Sequence, residues 1–266
     1  MENEERIKQA KEKNVILMPG AGFDVVPTDC LAKKLQEAFA EKYGNEQATS
    51  PSSQIELVIN TGADTQMSRG TLKSSINILR QGTWGFPERV GGVIKSAPIT
   101  VKEFDFDGKK RICTSVPWGD IATAYVSTGV PNIRVYFSGS KHSKTWATIM
   151  NIWLFNMLFF LFFNIPLVVP FLFKLVDWFL PRGPEEKEST RVQILGSLTQ
   201  GDKQVWGRAV TTAGYLFTSE STLLAALKIL TGDGLKVKSG CVTPSLVFGS
   251  NYVEEIDGCS VKITSQ

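Results

Sequence analysis

The sequence predicts a mixed α/β (α+β) protein: a short strand–loop–helix unit, then a mixed sheet with an inserted apolar helical hairpin. Four observations carry this reading. Residues 15–18 form an apolar run too short for a helix and end at Pro19 and Gly20. An amphipathic helix then places Leu31, Leu35 and Phe39 on one face. Strand pairs joined through Asp107-Gly108 and Gly201-Asp202 read as antiparallel hairpins, so the sheet is not purely parallel. Residues 145–173, finally, carry no charged side chain.

The bulk composition removes several function classes. A net charge of +3 over 266 residues, with Lys and Arg scattered rather than striped, argues against nucleic acid as a partner. Cys30, Cys113, Cys241 and Cys259 lack paired metal-ligand spacing, and His142 is the one histidine. Reduced thiols in an intracellular protein without a metal site are therefore expected. The charged, helix-favouring residues 2–13 read as a surface helix, and no signal peptide is expected.

In chain order, the loop with Gly20, Gly22, Phe23 and Asp24 follows the first strand, where open α/β sheets hold ligands. The alternative is an ordinary strand-to-helix connection that uses glycine for backbone freedom. A dinucleotide fingerprint fails here: Val25 occupies the place of the third glycine, and a polar tract after Tyr43 replaces the distal acidic residue. Residues 44–53 form a loop, 54–60 a strand, and Leu72, Ile76 and Leu79 mark a helix that begins near Ser68 or Thr71. Ser68, Arg69 and Thr71 at that helix start suit a carboxylate or phosphate; plain capping with a solvated Arg69 is the alternative.

Strands at 100–106 and 111–116 precede Trp118, Asp120, Tyr125 and Thr128, which suit a polar pocket with an aromatic wall. Asp120 equally suits an N-cap. After 145–173 come an acidic helix start at Glu185, Glu186 and Glu188, and the hairpin 192–199 with 204–211. A helix at 219–230 follows, with Leu223, Leu227 and Leu230 expected to face inward.

The uncharged stretch is long enough for a membrane segment, yet Asn164 and Pro166 fall near its middle and strands lie on both sides. Basic residues flank it, and Trp146, Trp153 and Trp178 sit near its ends. A re-entrant or interfacial hairpin over 145–181 fits better than one straight span; a helix pair buried at a homodimer interface is the rival.

The order of five segments resembles the saccharopine dehydrogenase-like oxidoreductases, a family that includes trans-acting enoyl reductases of lipid biosynthesis. The segments are 20–31, 68–71, 116–133, 214–215 and 243–249, with 117–133 the most specific. The resemblance implies that residues 1–45 are the end of a Rossmann-type domain and that 46–266 form the substrate domain. It further implies an NAD(P) cofactor near Gly20, Gly22, Phe23 and Asp24, and a hydrophobic or lipid-like substrate. Family members carry a glycine-rich cofactor loop with no counterpart here. On this reading Asp120 and Tyr125 are the catalytic candidates, Tyr125 as proton donor, and Ser68, Arg69, Thr71 and Trp118 line the substrate. A non-catalytic, membrane-associated interaction protein that keeps the substrate-domain fold is the alternative.

Overall fold

The computed structural model describes residues 2–62, 68–80, 86–139, 142–180, 183 and 189–265. The acidic helix start expected at Glu185, Glu186 and Glu188 lies outside them. The first elements are helix α1 (Glu2–Glu12), strand β1 (Ile16–Leu17), α2 (Val26–Tyr43), the short α3 (Asn45–Ala48) and β2 (Gln54–Asn60). Then come α4 (Arg69–Arg80), β3 (Phe86–Val90), β4 (Val93–Ala97), β5 (Val101–Phe106), β6 (Lys109–Ser115), α5 (Asp120–Thr128) and β7 (Asn132–Ser138). Helices α6 (Ser143–Met150), α7 (Trp153–Asn164) and α8 (Val168–Phe179) fill the uncharged stretch and its C-terminal flank. The chain closes with β8 (Val192–Gln200), β9 (Lys203–Thr211), α9 (Gly214–Thr231), β10 (Gly240–Cys241), α10 (Pro244–Phe248) and β11 (Ser260–Ser265).

Nine strands form one sheet in the order β11-β9-β8-β2-β7, after which β7 divides its outer edge. Its start meets β3 through the Arg89–Ile133 bridge, and its end meets β6 at Cys113, Thr114 and Ser115. Among the described residues only β2 and β7 run parallel in this sheet. Both predicted hairpins form. Asp107 (φ 56°) and Gly108 (φ 79°) supply the two left-handed residues that a tight turn between right-twisted strands requires. The β3–β4 hairpin, which the sequence reading missed, turns the same way at Gly91 and Gly92.

Helix α2 lies across the sheet at a glycine pair. Gly196 of β8 faces Gly207 of β9, and a Cβ on Gly196 would sit 2.8 Å from Leu35 Cδ1 and 3.0 Å from Leu31 Cδ2. The missing side chains therefore let a fully buried helix face approach the strands closely. Leu31, Leu35 and Phe39 join Ile55, Leu57, Ile59, Ile194 and Leu198 in one core, which crosses the residue-45 division expected from the resemblance. Strand β1, by contrast, pairs in parallel with β10 rather than with the large sheet.

Two expectations change. Helix α9 begins at Gly214 and buries Phe217, Ser221 and Ala225, whereas Leu223, Leu227 and Leu230 face solvent at 63, 51 and 84% exposure. The residues at i, i+4 and i+8 from Phe217 include two small ones, which bring this helix against the loop before α2; the leucines fall on the other side. Asp120 is not an N-cap: it sits inside the first turn of α5 and is wholly buried.

Candidate functional site

The loop after β1 is clamped between two helix starts. Gly20 has φ 79°, and a Cβ there would lie 2.5 Å from Val25 Cγ2. At Gly22 it would lie 2.7 Å from Thr218 Cγ2 on α9. Thr218 holds the loop directly, because the Phe23 N–H donates to its Oγ1 (3.0 Å) while that hydroxyl donates to Gly214 O (2.8 Å). Ser221 Oγ donates to Ala21 O at 2.8 Å. The Phe23 ring is buried, edge-on to Phe217 at 6.0 Å and against the bare Cα of Gly214. On the opposite side Gly119 packs on Val25, and Asp24 stays exposed at the rim. Both glycines of the loop are thus explained by close approach, and Gly20 also by its left-handed backbone.

Beneath the loop lie two fully buried carboxyl groups. Asp29, in the first turn of α2, accepts from Ser127 Oγ of α5 and from the Ser245 N–H of α10 (2.8 Å). Ser127 Oγ in turn lies 2.6 Å from Thr243 Oγ1. Asp120 Oδ2 accepts from Thr28 Oγ1 at 2.6 Å, while its Oδ1 and the indole Nε1 of Trp118 are buried without a hydrogen-bond partner among the described residues. Burial raises the pKa of both carboxyls, and for Asp120 the neighbouring Asp29 and Asp24 charges add to the rise. The donors around Asp29 oppose that shift without cancelling it.

The hydroxyls at the start of α4 join the same region through Tyr215. Its phenol oxygen accepts from the Ser68 N–H (2.8 Å) and lies 2.9 Å from Thr71 Oγ1, which is 3.0 Å from Ser68 Oγ. Ser68 Oγ also accepts the Thr71 N–H at 3.1 Å, so the expected capping is present. Arg69 turns away from this cluster: its Nε donates to Leu180 O (2.7 Å), and its guanidinium faces Asp177 at 3.9 Å.

Gly20, Gly22 and Phe23 therefore share one locale with Asp120 and, through Tyr215, with Ser68 and Thr71. Trp118 packs on Phe137 at 5.9 Å, giving the aromatic wall. Tyr125 does not join them. Five residues beyond Asp120 on α5, it stacks over the Arg89 guanidinium at 4.6 Å and lies against Gly92. Arg89 is held there by Ile121 O (2.7 Å) and Gly92 O (2.5 Å). Sequence reasoning did not assign Asp29, Ser127, Thr243, Ser245 and Tyr215 a place in the site. The available signal was Thr28-Asp29 set inside the apolar run Val25-Val26 to Cys30-Leu31, since a carboxylate on a buried face requires partners.

No protein-family model matches the chain, and no curated protein is significantly similar to it.

Proposed function

We propose that this protein works at a membrane surface as an NAD(P)-linked oxidoreductase on a hydrophobic or lipid-like substrate, with the apolar helical insertion seated in one leaflet. The observation that carries the chemical half is convergence. Segments 116–133, 214–215 and 243–249 all contact residues 20–31, and 68–71 joins them through Tyr215, although up to 216 residues separate the partners, as between Asp29 and Ser245. Thr28 reaches 116–133 through Asp120, Phe23 lies on Gly214, Tyr215 reaches 68–71, and Asp29 reaches 243–249. In this reading the nicotinamide end of the cofactor lies near Gly22 and Asp24. The Tyr215 phenol, within hydrogen-bond reach of Ser68 and Thr71, replaces Tyr125 as the proton donor.

The membrane half rests on α7. Leu154, Leu158, Leu161 and Ile165 are spaced i, i+4, i+7 and i+11, so they line one face, and each is 50–54% exposed. The other face packs Phe159 and Phe163 against Ile76, Val169 and Val176. A helix apolar on both faces with only one covered by protein is suited to a lipid surface. Trp178 is 80% exposed, and Lys144 and Lys174 flank the uncharged residues 145–173, as suits residues at headgroup depth. Among the described residues no single helix is long and apolar enough to cross a membrane, and α6 and α7 are bent by 86°. We read the bend as a segment that lies in one leaflet, a broken span being the other arrangement that such a bend allows.

A non-catalytic interaction protein is the second reading, favoured by Asp29, whose oxygens are taken up in tying α2 to α5 and α10. Titrating purified protein with NADPH, followed by nicotinamide fluorescence and thermal melting, separates the two. A melting shift at millimolar cofactor is expected, and its absence leaves the second reading. Flotation with phosphatidylcholine–phosphatidylserine vesicles tests the surface, and protein left wholly at the bottom of the gradient rejects both.

A further inference from the structure

We propose that the cleft between α4 and the α7–α8 turn binds one single-chain amphiphile with an anionic head. The cleft has a volume of about 290 Å³, at the small end of ligand sites. Phe163, Val169, Pro170 and Phe173 form its apolar walls, with Asn77 and Arg80 of α4 beside them. Phe163 and Val169, 8% and 5% exposed, lie deep, whereas Pro170, Asn77 and Arg80 are at the open rim. Pro170 brings no N–H to the lining, and an alkyl chain is a suitable occupant for walls of this kind.

Charge selects the head. Arg69, Lys73, Asn77 and Arg80 follow one another at i, i+4, i+8 and i+11 along a single stripe of α4. The first two cations are committed within the fold. Lys73 Nζ contacts both Asp177 oxygens at 2.7 Å, and Arg69 is taken by Leu180 O and Asp177. Among the described residues Arg80 has no carboxylate in ion-pair range, and it is the charged side chain lining the cleft. A guanidinium and an amide beside an apolar slot match a carboxylate on an acyl chain. This inference goes beyond the reading above and does not need α6–α8 to enter a bilayer, because a free amphiphile reaches the cleft from solution.

The experiment displaces fluorescent cis-parinaric acid from the full chain with dodecanoate, dodecanol or dodecyltrimethylammonium. Saturable binding of one chain per protein is expected, with dodecanoate about tenfold tighter than the cationic chain. Arg80→Glu, on an exposed side chain, should erase that preference and leave dodecanol unchanged. Val169→Trp should abolish binding by filling the slot; Asn77→Trp at the exposed rim gives the same steric test if Val169→Trp fails to fold. Equal affinity for both charged chains overturns the proposal. So does uptake that never saturates, or that survives whichever blocking variant folds. Flotation of the same variants on vesicles reads the leaflet model separately, since its failure would leave saturable dodecanoate binding intact.

Discussion

The core around α2 and the α6–α8 layer place polar and apolar groups in opposite ways. Around α2 the fold buries Thr28, Asp29, Asp120, Ser127 and Thr243 completely or nearly so, and joins them by hydrogen bonds between distant segments. In the α6–α8 layer the outward face is mostly Leu, Ile, Phe and Trp, and its ion pair, Lys73 with Asp177, lies at the surface. The first region is stabilised by pairing most of its buried polar groups, and it fails when a partner such as Asp29 is removed. The second has apolar side chains in contact with solvent, and replacing them costs the fold little. The difference teaches that the two regions answer to different pressures, cohesion in one and an outside surface in the other.

Removing the Asp29 carboxylate should break this contrast most severely. Asp29→Ala strands the Ser245 N–H and takes the acceptor from Ser127, so about 4 kcal/mol of stability is expected to be lost in urea unfolding. Asp29→Asn, which keeps one acceptor oxygen, should lose about half as much. Next in size is the outer face of α7. Leu154→Glu with Leu161→Glu should leave unfolding within about 0.5 kcal/mol of the parent, yet weaken vesicle partition by about 3 kcal/mol, roughly a hundredfold.

Acidity gives a smaller, graded test of the α2 region. Burial raises the folded-state pKa of Asp29 and Asp120 above their unfolded values. The folded protein therefore binds more protons than the unfolded chain between the ordinary carboxylate pKa and the raised ones. The contribution of these two groups is greatest in acid and declines as pH rises through that window. Urea unfolding at a series of pH values should show this decline in the parent and a shallower one in Asp120→Asn; parallel profiles would contradict it. Least is expected of Tyr125→Phe. The ring stays over Arg89, so stability should change by less than about 0.5 kcal/mol and NADPH binding not at all.

Much of the local structure was legible. Asp107-Gly108 and Gly201-Asp202 specify turns through their own backbone preferences, and the helix of residues 2–12 follows from composition alone. The candidate site was legible only in part. Gly20 and Gly22 stood out as punctuation, but the partners that demand them, Val25 and Thr218, lie within the same loop in one case and nearly two hundred residues away in the other. Tyr215 was passed over because nothing near it in the chain signals that Ser68 and Thr71 stand within 3 Å of its hydroxyl region.

The sequence by itself determined the two Asp-Gly and Gly-Asp turns, most of the strands and helices, and that residues 145–173 are uncharged throughout, because propensity, turn chemistry and charge are local properties. Tertiary structure decided which side of each helix matters. It turned Leu223, Leu227 and Leu230 outward because the small-residue face of α9 lets the helix approach the Phe23 loop. It assigned Arg69 to Leu180 and left Arg80 beside the cleft, although both are arginines on one stripe of α4. It also brought Asp29, Ser127 and Thr243 together, because burying a carboxylate requires donors, and the donors within reach came from distant parts of the chain.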